Sequence, residues 1–228
     1  MLWQEETSDP QRPIADEVVD IQFSLSGRQI PVDHVYALSQ AISRCWHRSQ
    51  ERVPLGVHSI HVAGSQNGWQ RPSHATDQYL MLSRRTRLMI RVAQVHVPAV
   101  AEALTGCTLD VAGCPLTVGA GKIRPLSREK TLFARHILDP FGEDEGRFLE
   151  WAVAELRSMP LRVRKALCGK PTQLATADGP RLTRSLLLAD LSLSDSIRLQ
   201  QEGLGPGRDM GCGLFIPHKS VEAVTGPG

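Results

Sequence analysis

Five glycines in eleven residues, Gly203, Gly205, Gly207, Gly211 and Gly213, fall in the segment GLGPGRDMGCG near the carboxyl end. Glycine takes positive φ at no steric cost and lets other backbone approach closely, so such a segment can turn sharply and offer N–H groups to an anion such as phosphate. Arg208 adds charge within it. Leu204, Met210, Cys212 and Leu214 are interleaved with the glycines, which a solvated linker would not need, and this favours a packed turn over a flexible tail. Eight histidines are the other groups able to do chemistry. Imidazole titrates near neutral pH and can take or give a proton. His58 and His61 are three apart, so on a strand they would face opposite sides and share no metal. His74, His96, His136 and His218 read as incidental surface or edge positions. The five cysteines lack a C-x-x-C pair, so neither a zinc site nor a disulfide framework is suggested. GAGK at Gly119–Lys122 has Leu116 and Ile123 where a Walker loop needs Gly and Ser or Thr, and it is rejected.

Basic residues cluster at Arg84, Arg85, Arg87 and Arg91 and again at Arg162, Arg164 and Lys165, with Arg124 able to join either group. Any one of them reads as solvated charge, but as a set they could line the path of a polyanion. On a strand, Arg162 and Arg164 would share a face. The net charge of +2 conceals an asymmetry, since residues 1–20 carry six acids against Arg12 and leave +7 for the rest. Aromatic residues are 5% of the chain, which argues against a surface reading many bases by stacking alone. A reduced, cytoplasmic protein is expected, without an export signal or an 18-residue apolar run.

The elements that must position these groups follow from periodicity. EVVDIQFSLSG alternates as a strand, and Asp33 can cap a helix from about His34 to Trp46 whose stripe is Val35, Leu38, Ile42 and Cys45. LGVHSIHVAG, QYLMLS and RLMIRVA read as strands, VPAVAEALTG as a helix, and TLDVAGCPLTVG as a hairpin. The second half repeats the order with TLFARHIL, a helix after Asp144, strands near RVRKALC and RSLLLADLS, a helix capped by Ser194, and CGLFIP. Two passes of this split pattern predict an α+β, tandem ferredoxin-like (RRM-like) fold. The expected boundaries are a mobile lead-in 1–16, domains 17–127 and 128–219, and a tail 220–228.

The spacing of Gly203 to Gly213, set in SIRLQQEGLGPGRDMGCGLFIP, resembles the signature of the Cas-six family of CRISPR-associated endoribonucleases. With DIQFSLSGRQIPVDHVYALSQAIS the chain looks most like the MYXAN subtype, and the resemblance spans roughly residues 17 to 217. It implies cleavage of CRISPR precursor RNA within each repeat, with no metal or other cofactor. The 2′-hydroxyl attacks the adjacent phosphate, a base takes its proton, an acid protonates the departing 5′-oxygen, and cations steady the phosphorane. In the family the acid–base histidine comes at or just after the end of the first helix, which here is His47 in CWHRSQER. At 100° per residue His47 lies about 120° from Val35, away from the core and on the side of Tyr36.

His34, in the D-H-x-Y cluster with Tyr36, is the alternative. Family members carry a tyrosine in mid-helix where Ser43 stands here. Arg44, Arg48, Arg124, Arg162, Arg164, Lys165 and Arg208, with the five glycines, are the expected RNA-binding set. The implied partner is CRISPR repeat RNA, with no membrane. The competing reading is a silent RNA-binding subunit that works with other CRISPR effector subunits. A generic tandem RNA-recognition protein is disfavoured by the absence of the aromatic RNP1 pattern.

Overall fold

Val19, Ile21 and Phe23 alternate with Asp20, Gln22 and Ser24, so a strand through them buries one apolar face and leaves the other polar. The computed structural model describes residues 17–46, 53–62, 78–142, 144–159 and 161–218. His47, Arg48 and His74 lie outside the described residues. In chain order the first half contributes β1 (Val18–Ser26), β2 (Gln29–Pro31), α1 (Val35–Trp46), β3 (Gly56–Val57), β4 (Tyr79–Met81), β5 (Arg87–Ala93), α2 (Val97–Leu104), β6 (Thr108–Val111) and β7 (Cys114–Arg124). The second contributes β8 (Leu132–Leu138), α3 (Glu145–Ser158), β9 (Lys165–Cys168), β10 (Thr172–Leu174), β11 (Arg181–Ala189), α4 (Leu193–Glu202) and β12 (Phe215–Pro217).

The strand orders are β3-β5-β1-β7-β6 and β10-β11-β8-β12, with β9 also on β11. In each half the first strand is central, flanked by the strand before the second helix and the strand after it. That is ferredoxin-like topology, used twice. The helices cover one face of each sheet. Leu38, Ile42, Val100 and Leu104 pack on Ile21, Phe23, Leu88 and Ile90 in one core, and Phe148, Ala152 and Leu199 on Leu132, Ala134, Leu186 and Leu188 in the other.

The differences from expectation have local causes. Of the strand expected over LGVHSIHVAG, Gly56–Val57 forms a strand; the His58 N–H still donates to the Met89 carbonyl of β5, and two residues later the Ile60 N–H turns to the His34 side chain. Lys165 opens β9, so Arg162 and Arg164 precede the strand and are not aligned on its face. Ser192, not Ser194, caps α4 by accepting from the Asp195 N–H at 3.0 Å. The GAGK segment is mid-strand in β7, where Gly121 lets Ile21 and Phe23 come within 2.8–2.9 Å of the place a Cβ would occupy.

Candidate functional site

The glycine segment connects α4 to β12 and is built into the contact between the halves. All five glycines have positive φ, from 66° to 84°. Gly203 ends α4, and its N–H donates to the Leu199 carbonyl. The chain then doubles back. Leu204 N–H donates to the Gly213 carbonyl, Cys212 and Met210 N–H to that of Gly207, Gly211 N–H to that of Arg208, and Gly213 N–H to that of His136 on β8. These amides are engaged within the fold, so at Gly203, Gly211 and Gly213 the expected offer of N–H groups to phosphate gives way to close packing. A Cβ on Gly213 would overlap the Leu204 carbonyl, and one on Gly211 would sit 2.9 Å from the Val57 carbonyl of the first half. Leu204, Cys212 and Leu214 are buried, which is the role their interleaving required. Burial pushes the Cys212 thiol up to about 12, so it is an inert packing group.

Three further links join the halves at this turn. Val35 at the start of α1 meets Leu174 and Cys212 in a small apolar cluster. Asp33 Oδ2 accepts from the Ala175 N–H at 3.3 Å. Arg91 on β5, 1% exposed, is the centre of the third. Its Nε and Nη2 donate to Asp20 at 2.8 and 2.9 Å, while Nη1 donates to the carbonyls of Gln200 and Phe215, at 3.0 and 2.8 Å, in the second half. Arg91 was expected beside Arg84, Arg85 and Arg87 on a basic path; it is buried because the second half covers that end of the first sheet. Burial alone would raise the Asp20 pKa, but His58 and Arg91 beside it outweigh burial and hold the carboxyl well below the ordinary carboxylate range. His58 Nε2 stands 3.4 Å from Asp20, an electrostatic contact rather than an aligned hydrogen bond. Its own pKa is lowered, first by burial and then by the nearby guanidiniums of Arg91 and Arg208, despite the pull of Asp20. The Asp20–Arg91–His58 group escaped sequence reasoning, since its members lie 33 to 71 positions apart; the alternation of RLMIRVA was the one available signal.

His34 is 1% exposed. Its Nε2 accepts the Ile60 N–H at 3.0 Å, which puts the ring proton on Nδ1, facing the carbonyls of Pro31 and Val32. It ties the start of α1 to the segment after β3, and the geometry makes it a positioning group. Tyr36 is half-buried in the first turn of α1. Arg44 is exposed in the last turn, with Nη2 donating to the Asp110 carbonyl at 3.2 Å. Trp46 closes the described helix, so His47 is the next residue along. The glycine turn packs at the opposite, Val35 end of α1, about 16 Å from Trp46 at 1.5 Å per residue. The turn and the Trp46 end of the helix are therefore separate places on one body.

Arg124 is exposed on β7 and donates to Gln22 Oε1. Arg162 and Arg164 are exposed, Lys165 pairs with Asp190 at 2.8 Å, and Arg208 Nη1 donates to the Glu202 carbonyl at 2.9 Å. One of the histidines expected at surface or edge positions differs: His136 is buried on β8 with Nδ1 3.2 Å from Thr183 Oγ1, whereas His218 is half-buried just past the edge strand β12, its ring tilted against Phe133. Among the described residues no group of three or more His, Cys, Asp or Glu is gathered to hold a metal ion, and no helix is long and apolar enough to cross a membrane.

Two ferredoxin-like units, locked by a glycine turn and a buried arginine, define the class: a tandem ferredoxin-like protein. Comparison with solved structures gives the same fold. A Cas6-related protein from Pyrococcus furiosus superposes with a TM-score of 0.59 at 13% identity, covering 87% of this chain and 97% of that one. A RAMP protein described as binding different RNA substrates superposes at 0.57 and 14% identity, over 88% of this chain and 100% of its own. The Cas6 Crispr family model matches residues 19–220, and the chain is a member of the Cas6 family. A CRISPR-associated endonuclease Cas6 from Myxococcus xanthus is 33% identical over 214 residues, 92% of this chain and 86% of that relative.

Proposed function

We propose that this chain is an endoribonuclease that cuts CRISPR precursor RNA within its repeats to give mature guide RNAs. The carrying observation is the match of residues 19–220 to the Cas6 family together with a relative, 33% identical, named as a CRISPR-associated endonuclease. The reaction is attack of a 2′-hydroxyl on the adjacent phosphate, forming the P–O2′ bond and breaking P–O5′, without a metal ion. His47 takes or supplies the proton, and Arg44 and Arg48 stabilise the charge on phosphorus. Tyr36, two residues after His34 in the first turn of α1 and about 15 Å along the helix from Trp46, belongs to the alternative site beside His34. The exposed Arg124, Arg162, Arg164 and Lys165, with Arg208 of the glycine turn, hold the RNA backbone. The domains divide at 127/128, with 1–16 and 220–228 flanking them.

The test is cleavage of a labelled repeat by the parental chain and by His47→Ala. The variant should bind with parental affinity and cut at least about 100-fold more slowly. Cleavage by the variant at the parental rate would remove His47 from the mechanism. A parental chain that binds the repeat and never cuts it would instead point to an RNA-holding subunit.

A further inference from the structure

The basic run from Arg84 to Arg91 divides in the folded chain. Arg91 is buried between the halves. Arg87 stands at one end of the polar, basic outward face of the first sheet, which also carries Gln22, Lys122 and Arg124, and its Nη1 donates to the Arg84 and Thr86 carbonyls at 2.7 Å. Arg84 and Arg85 are exposed on the turn between β4 and β5. That turn is fixed from within: the Ser83 N–H donates to Thr86 Oγ1 at 3.1 Å and the Arg85 N–H to Ser83 Oγ at 3.2 Å. A third exposed arginine joins them, because the Leu82 N–H donates to the Arg28 carbonyl at 2.9 Å and extends the β2–β4 pairing by one step. Among the described residues, none of Arg28, Arg84 and Arg85 has a carboxylate within ion-pair distance.

The neighbours of these arginines supply a direction and an aromatic ring. On the β2–β4 ribbon Ile30 and Leu80 pack into the core, so Tyr79 and Met81 face outward, opposite Pro31 and Gln29. Tyr79 is 50% exposed and Met81 56%. The β6–β7 turn links the ribbon to α1: Arg28 lines a small recess with Gly113, Cys114 and Pro115, and Arg44 donates to the Asp110 carbonyl of the same turn. The Asp110 carboxylate accepts the Gly113 N–H at 2.8 Å rather than an arginine. Positive charge therefore continues from the last turn of α1, around this turn, to Arg28, Arg84 and Arg85, with the Tyr79 ring about 10 Å along the strand from Leu82. A partner that fits carries negative charges at intervals and a flat group beside them, which describes single-stranded RNA. Guanidinium groups take phosphate oxygens two at a time, and an exposed tyrosine stacks on a base. An acidic peptide would satisfy the arginines and leave the ring unused.

We infer that Arg28, Arg84 and Arg85 hold consecutive phosphates of a single-stranded stretch of the substrate RNA beside the Arg44 end of α1, and that a base of that stretch stacks on Tyr79. The inference rests on the reading of the chain as an RNA enzyme and adds a binding track outside the helix that carries the cutting residues. The experiment measures affinity for labelled repeat RNA across a salt series, using the full chain. The double variant Arg84→Gln, Arg85→Gln should lower the slope of log affinity against log salt by about 1.4, two phosphates at about 0.7 each. Tyr79→Leu should bind roughly 10-fold more weakly with the parental slope, and Tyr79→Phe should restore the affinity. Thermal midpoints should match the parental chain, since all these side chains are exposed. A parental slope in the double variant, or parental affinity in Tyr79→Leu, would overturn the track; if the parental chain cuts the repeat, the enzyme reading stands without it. Binding of poly-glutamate that falls in the double variant while RNA binding holds would assign the arginines to an acidic peptide and overturn the inference. A parental chain that neither binds nor cuts the repeat would overturn both readings.

Discussion

Each half of the molecule buries one arginine against one aspartate, and the two arginines face in different directions. Arg184 of β11 donates to Asp139 at 2.7 Å, reaches the carbonyls of Gly169 and Gly142, and lies over the Phe148 ring, all within the second half. Arg91 of β5 occupies the matching strand of the first half, but its remaining donors go to Gln200 and Phe215 across the boundary. One pair fixes a loop to its own sheet. The other fixes one sheet to the other. Buried ion pairs add little net stability over apolar packing, yet breaking one is costly, so the geometric demands of Arg91 act mainly to specify how the halves meet.

The largest effect should come from removing the two arginines separately. Arg91→Ala and Arg184→Ala should each lose about 3–5 kcal/mol in urea unfolding. Only Arg91→Ala should also raise amide exchange in the 203–215 segment ahead of global unfolding; equal protection of that segment in both variants would erase the contrast.

Next in size is a pair of glycine substitutions. Gly213→Ala meets both a positive φ and the Leu204 backbone, whereas Gly142→Ala meets a positive φ with open space around it. The first should cost at least about 3 kcal/mol and the second about 1 kcal/mol. Thermal melts giving the same cost at both sites would mean that the turn is not tightly packed.

A smaller effect concerns pH. His58 has a folded pKa below its unfolded value because of its burial, so the unfolded chain binds the extra proton as pH falls. Stability is fully present above the unfolded pKa, near 6.5, and declines below it. Replacing His58 with Gln should remove that slope between about pH 6.5 and 5, a difference of at most about 1.4 kcal/mol per pH unit. The depressed Asp20 carboxyl works in the same direction at lower pH: its stabilisation is present above about pH 4 and is lost as pH falls through its folded pKa. Parallel stability curves for His58→Gln and the parental chain would contradict the role given to the buried histidine.

The smallest effect is on the basic face of the first sheet, where Arg124→Gln should lower the slope of log affinity against log salt by about 0.7 for single-stranded RNA. An unchanged slope would take Arg124 off the RNA path.

Much of this architecture was legible in the chain. The stripe of Val35, Leu38, Ile42 and Cys45 gave α1, and RLMIRVA gave β5 from Arg87 to Ala93. The apolar residues between the glycines correctly indicated a packed turn, since burial of Leu204 and Cys212 is a local demand. What stayed hidden depends on distant residues. Arg91 sits at a position that alternation assigns to solvent, and its cover comes from residues 109 and 124 positions away. His136 was read as an edge residue because nothing near it in the chain announces Thr183, 47 positions on. The three-residue strands β2 and β10 were too short to show a period. The chemistry assigned to His47 came from family resemblance, because composition and spacing do not distinguish one surface histidine from another.

The most direct test of the central claim is the chemistry of the cut ends. Repeat RNA incubated with the chain in excess EDTA should be cleaved to a 5′-hydroxyl fragment and a partner ending in a 2′,3′-cyclic phosphate, as attack by the 2′-oxygen requires. Cleavage that appears only when magnesium is restored, or that leaves a 3′-hydroxyl facing a 5′-phosphate, would contradict it.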